Sequence, residues 1–262
     1  MAGVTKFTEA VERAIVSSHQ ATGFDAGPRR YWGSVLFTRL CTTSVSILWL
    51  CPGSKVNPRG DHWDFGAVAS LTRSLLECAL YFFYLAVEPI SDEEWRARLK
   101  VMQLHDCKER QRMFRAIDPN DPQLRAFEEQ ACELKAVLEK NQYFAKLPET
   151  QRNSLLKGER SSILTQDEIY AKVGGLPPHF RGLYRFFSSH AHSFPLAFYR
   201  TSDCNRGRGE ENDIEKGYIA GALDFSTDVL ARATSDFQGS FVGLVKFVPR
   251  AFDWRRLQRQ QP

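Results

Sequence analysis

The chain has 262 residues, 43% hydrophobic and 25% charged, enough for one large domain or two small ones around a real core. Its net charge of +4 and pI near 8.7 permit nucleic acid or other anionic partners without requiring them. The opening "MAGVTKFTEAVERA" lacks the apolar core of a signal peptide, and the six cysteines show no metal-site spacing, so reduced thiols in a cytoplasmic protein are expected.

Helical periodicity runs through the sequence, and no alternating strand pattern competes with it. The spacing predicts a first helix over residues 5–20, ended by Gly23, Gly27 and Pro28, and a second over 29–51, stopped by "CPGSKVNPRG". A third is expected over 62–87, halted before Pro89. Ser91 and Glu94 then read as a capping box opening a fourth helix, and Asp121 with Pro122 as the start of a fifth. A short segment over 166–173 and a helix over 177–192 follow, then a Gly-rich loop, and a last helix over 213–235. The most apolar run, "VLFTRLCTTSVSILWLC", carries Arg39 and several hydroxyl groups, which marks a buried helix rather than a membrane span.

Charge divides these segments. Between Phe65 and Val87 the only acidic or basic side chains are Arg73 and Glu77, so this helix belongs in the interior. Residues 92–118 and 121–147 are amphipathic and heavily charged, with Leu124, Phe127, Ala131, Leu134 and Leu138 along one face as helix pairing requires. The expected fold is therefore all-α: a central helical bundle over residues 1–249 carrying a long charged helical hairpin, 91–146, as an arm of about 37 Å. Such an arm offers a surface for a protein partner. A basic tail, 250–262, is expected to be loose.

Candidate chemistry gathers on two helices. Arg73 and Glu77 lie one turn apart with Tyr81 on the same face, and charges in an apolar helix need close partners. In "GLYRFFSSHAHSF", Arg185, Ser189 and His192 fall within about 60° of arc, with Ser188 beside them and His190 pointing away. Tyr184, Ser188 and His192 form a second row at four-residue spacing. This geometry favours His192 as the partner of Arg185, in the last turn, where the helix dipole favours an imidazolium. A histidine beside a guanidinium suits acid–base work on a phosphodiester, with Ser188 or Ser189 orienting the ring and Glu77 acting from the facing helix. Alternatively, all these residues form one satisfied internal network that specifies the core and does no chemistry.

The spans Arg185–His192 and Arg185–His190 resemble the Arg-x4-6-His signature of the HEPN superfamily, helical bundles that include metal-independent endoribonucleases of bacterial toxin and defence systems. That resemblance implies Arg185 and His192 as a catalytic pair, RNA as substrate, no cofactor, and a composite site across a homodimer. In the same segments, "RSLLE" followed by "YRFFSSHAH" resembles a large bacterial helical family of unknown function, which pairs an Arg-x3-Glu helix with a later Tyr-x3-Ser-x3-His helix. Arg200, Arg206 and Arg208 bracket the Gly-rich loop and are candidates for gripping phosphates. His105–Asp106, with His62 upstream, resembles the metal centre of HD phosphohydrolases, yet it sits among "KERQR", where a solvated face is the simpler account.

Overall fold

The computed structural model describes residues 2–24, 27–174, 177–199, 206–241 and 243–254, excepting the side chains of 177–179. Among them every regular element is helical: α1 (Ala2–Gln20), α2 (Gly27–Trp49), α3 (Phe65–Phe82), a π-helical turn (Phe83–Val87), α4 (Asp92–Ile117), α5 (Gln123–Glu139), α6 (Gln142–Ala145), α7 (Glu149–Leu156), α8 (Gln166–Val173), α9 (Pro177–Ala191), α10 (Pro195–Phe198) and α11 (Asp213–Ser240). The chain divides into two compact units, one built from 1–87 with 169–262 and the other from 88–168.

In the first unit α1 packs on α2 and α11, while α3 is embraced by α2, α9 and α11. The fully buried Phe37 of α2 stacks on Phe237 of α11 with centroids 4.0 Å apart, within one hydrophobic core that also holds Phe7, Leu40, Val68, Leu75 and Leu223. Phe65–Val87 is long and apolar enough to cross a membrane by composition, but it packs as a core helix does. Two arginines at the start of α2 cap other helices. Arg29 Nε donates to the Ala86 carbonyl at 3.2 Å and Arg30 Nε to the Ser240 carbonyl at 2.7 Å, meeting carbonyls that helix ends leave open. The start of the basic tail is docked rather than loose, because Trp254 is buried and its indole N–H donates to Glu12 Oε1 at 2.5 Å.

In the second unit, the face of α5 expected to be apolar is the buried one: Leu124, Phe127, Ala131, Leu134 and Leu138. It meets Ala97, Val101, Leu104 and Cys107 of α4 in one hydrophobic cluster. The charged sequence of α4 hides an interior ion. Arg98 is fully buried, with Nη1 2.6 Å from Glu88 Oε2 and Nη2 2.5 Å from Glu94 Oε1. This alters the expected capping box: the Ser91 hydroxyl accepts the Glu94 amide at 3.2 Å, but the Glu94 carboxylate turns to Arg98. A reciprocal box forms instead at Thr165 and Glu168, ahead of α8. The HD-type reading dissolves here. His105 Nδ1 donates to the Gly158 carbonyl at 2.9 Å, Asp106 pairs with Arg110, and no metal-ligating cluster exists among the described residues.

Candidate functional site

The site is set by how α9 ends. His192 is its C-terminal cap and Ser193 follows at φ 50°, the only positive-φ non-glycine among the described residues. The Phe194 amide reaches back to the Ser189 carbonyl at 2.9 Å and the Ser193 amide to the His190 carbonyl at 3.4 Å, a Schellman closure built on serine instead of glycine. This turn fixes His192 at the helix end, and Pro195 then starts α10.

On one flank of α9, Tyr184 and His192 face α3. Arg73 joins three partners at once: Nε donates to Glu77 Oε1 at 3.1 Å, Nη2 to the Tyr184 hydroxyl at 3.1 Å, and Nη1 to His192 Nε2 at 2.8 Å. The Tyr184 hydroxyl in turn donates to Glu77 Oε1 at 3.0 Å, closing the ring of contacts. Burial, reinforced by the Glu77 carboxylate, pushes the Tyr184 phenol up, so it stays a donor. Because a guanidinium has no acceptor, His192 Nε2 must accept, and a neutral His192 therefore carries its proton on Nδ1.

The arrangement departs from the helical-wheel expectation. His192 takes its guanidinium from Arg73 of α3, not from Arg185 of its own helix. Arg185 is exposed and its side chain has no hydrogen bond among the described residues. The wheel places Arg185 and His192 close in angle, but helix docking turns the Tyr184–His192 row toward α3 and leaves Arg185 to water. Neither serine orients the imidazole: Ser189 Oγ bonds the Arg185 carbonyl at 2.8 Å, and Ser188 makes no side-chain hydrogen bond. Tyr81, a turn beyond Glu77, lies edge-on to Tyr84 at 6.4 Å.

On the other flank, His190 packs edge-on against Phe65 at 4.7 Å and Phe186 at 5.3 Å. Burial pulls its imidazole pKa down, as does the Arg206 guanidinium, against an opposing pull from Asp64. Beside it opens a cavity of about 420 Å³ whose walls include His62, Asp64, Arg206, Arg208 and Glu215. The candidate phosphate-binding arginines thus separate: Arg206 and Arg208 line this cavity, whereas Arg200 lies outside the described residues. Glu215 and Asp64 carried no sequence signal for the site beyond their proximity to turns.

With all-α architecture and a polar cluster joining two core helices, the chain is a helical domain whose site is made by α3 and α9. Residues 30–210 match the Family of unknown function (DUF5677), and the chain belongs to that family. The match contains both the Arg73–Glu77 and the Tyr184–His192 segments. No curated protein and no solved structure is significantly similar to the chain.

Proposed function

We propose that the chain is a non-catalytic helical interaction protein in which Arg73, Glu77, Tyr184 and His192 lock α9 to α3. One observation carries this reading: the cluster is closed on itself, and the imidazole nitrogen a general base would use already accepts from Arg73. The lock is partly sheltered, with 17% of the Arg73 side chain and 30% of Glu77 exposed. Beyond it, Phe194, Leu196 and Tyr199 are all more than half exposed, an apolar face suited to a protein partner. The charged outer faces of α4 and α5, the hairpin arm of the sequence, offer a second, polar surface for such a partner.

A second reading, a metal-independent RNA-cleaving protein of the HEPN type acting as a homodimer, has one observation in its favour. His192 and Arg185 are both exposed, two turns apart along α9. The test compares wild type, His192→Ala and Glu77→Gln for thermal unfolding and for cleavage of mixed RNA in EDTA. The architectural reading expects both variants to melt at lower temperature and no cleavage that depends on His192. A His192→Ala protein that keeps its melting temperature while losing a cleavage shown by wild type overturns it in favour of the nuclease.

A further inference from the structure

Two residues that line the cavity beside His190 each carry a buried polar atom with no partner among the described residues, Glu215 Oε2 and Arg206 Nε. Glu215 is only 5% exposed. Its other oxygen accepts the Gly207 amide at 2.6 Å, and its own amide is capped by Asn212, so its position is fixed from two sides. Arg206 lies over the Tyr218 ring at 5.1 Å and does not pair with Glu215, although the two have opposite charge and line the same cavity. Leaving a buried donor or acceptor unmet costs about 1–3 kcal/mol each, and folds seldom tolerate two on residues that line one cavity.

The chemistry that would satisfy both is restricted. An amine meets Glu215 and is repelled by Arg206, while a simple anion does the reverse. A planar group with an N–H donor next to a ring nitrogen or carbonyl acceptor meets both at once. Flat aromatic surface lies at hand in Phe65 and the half-exposed Phe198, and the exposed Arg208 and His62 line the same space with cationic or donor groups for an anionic end. The volume falls within the ~300–1,000 Å³ usual for small-molecule sites.

We propose that this cavity binds a nucleotide, free or carried on an RNA strand. The base edge donates to Glu215 Oε2 and accepts from Arg206 Nε, and the phosphate lies against Arg208. The assignment rests on Glu215 and Arg206, neither of which belongs to the α3–α9 lock.

The experiment is isothermal titration calorimetry of the full chain with the four ribonucleoside 5′-monophosphates and with a short unstructured RNA. Glu215→Gln retains an acceptor for the Gly207 amide and changes the free atom into a donor, so the loop stays anchored. It is expected to weaken binding about tenfold or more. Arg208→Ala removes an exposed side chain that the core does not need and is expected to weaken binding several-fold. Binding of a mononucleotide with this sensitivity supports a free nucleotide ligand; binding of RNA alone with the same sensitivity supports the strand-carried form. Absence of binding by either probe, or binding that neither variant alters, overturns the proposal. The lock is read by thermal unfolding and this site by titration of ligand, so failure here is separate from failure of the architectural reading.

Discussion

Arg73 donates through Nη1 to Nε2 of His192 across 2.8 Å, joining the middle of α3 to the cap of α9. The bond holds only while the imidazole accepts, so the lock depends on hydrogen-bond polarity more than on charge. His192→Gln keeps an acceptor within reach and is expected to lie within about 0.5 kcal/mol of wild type. Glu77→Leu removes the carboxylate that both Arg73 and Tyr184 donate to and is expected to cost about 1–3 kcal/mol. Urea unfolding of the two variants checks the contrast; equal losses would mean that the lock is not built as described.

Arg98 is a different kind of ion. It is fully buried between Glu88 and Glu94, and removing one member leaves uncompensated charge in the interior. Arg98→Met is expected to destabilise by about 3–5 kcal/mol. The same substitution at exposed Arg96 changes stability by less than about 0.5 kcal/mol. Chemical denaturation of both proteins measures the difference.

These two arginines show what the sequence made legible. Arg73 stands out because its helix is otherwise apolar, so a partner one turn away and another on a facing helix can be anticipated. Arg98 sits in a run of charges where Arg96 and Lys100 look alike, and only the packing of α4 shows which one turns inward. Helix limits marked by Pro, Gly or a capping side chain were readable to within a few residues, as at Asn212, whose side chain caps α11. The four-residue helices α6 and α10 were not, because so short a run carries too little periodicity. The Ser193 turn had no glycine to announce it. The cavity is assembled from segments far apart in sequence, around residues 62–66, 190–198 and 206–215, so its convergence is a property of the fold alone.

Among the described residues four cysteines are buried and free, and burial pushes Cys41 and Cys51 up to about 12 and Cys78 to about 11. Each stays a thiol in the native state while the unfolded chain begins to ionise near pH 9. Above that point the unfolded state binds fewer protons than the native one, so stability falls as pH rises, by up to about 1.4 kcal/mol per pH unit per thiol. Below pH 9 the effect is absent. Denaturation curves between pH 8 and about 11 check this, and Cys51→Ala is expected to flatten the slope. In a Cys204→Ser background, native protein is expected to react quickly with a thiol reagent only at Cys132, the exposed one.

His190 has the opposite sign. Burial and Arg206 depress its pKa below the unfolded value near 6.5, against Asp64, so the native state holds it neutral. Its contribution to stability is present above pH 6.5 and is lost as pH falls, since the unfolded chain then takes up a proton that the native chain refuses. His190→Gln is expected to reduce the loss of stability between pH 7 and about 5, and the His190 ring proton shifts are expected to titrate below the unfolded value near 6.5.

The loop that closes the cavity depends on Gly209. Its φ of +78° lies in the left-handed region, and a Cβ there would come within 2.6 Å of the His62 ring. Its carbonyl also accepts the Trp63 amide at 3.0 Å, so the same residue ties the loop to the segment before α3. Gly23 shares the backbone conformation, with φ +87°, but a Cβ there meets nothing within 4 Å. Gly23→Ala therefore registers backbone strain alone, about 1–2 kcal/mol. Gly209→Ala carries that strain and the clash with His62 as well, and is expected to cost more. Hydrogen exchange at the Trp63 amide reads the difference locally: protection is expected to fall in Gly209→Ala and to hold in Gly23→Ala. Equal protection in both would mean that the loop does not clasp His62, and with it the closed wall of the cavity would go.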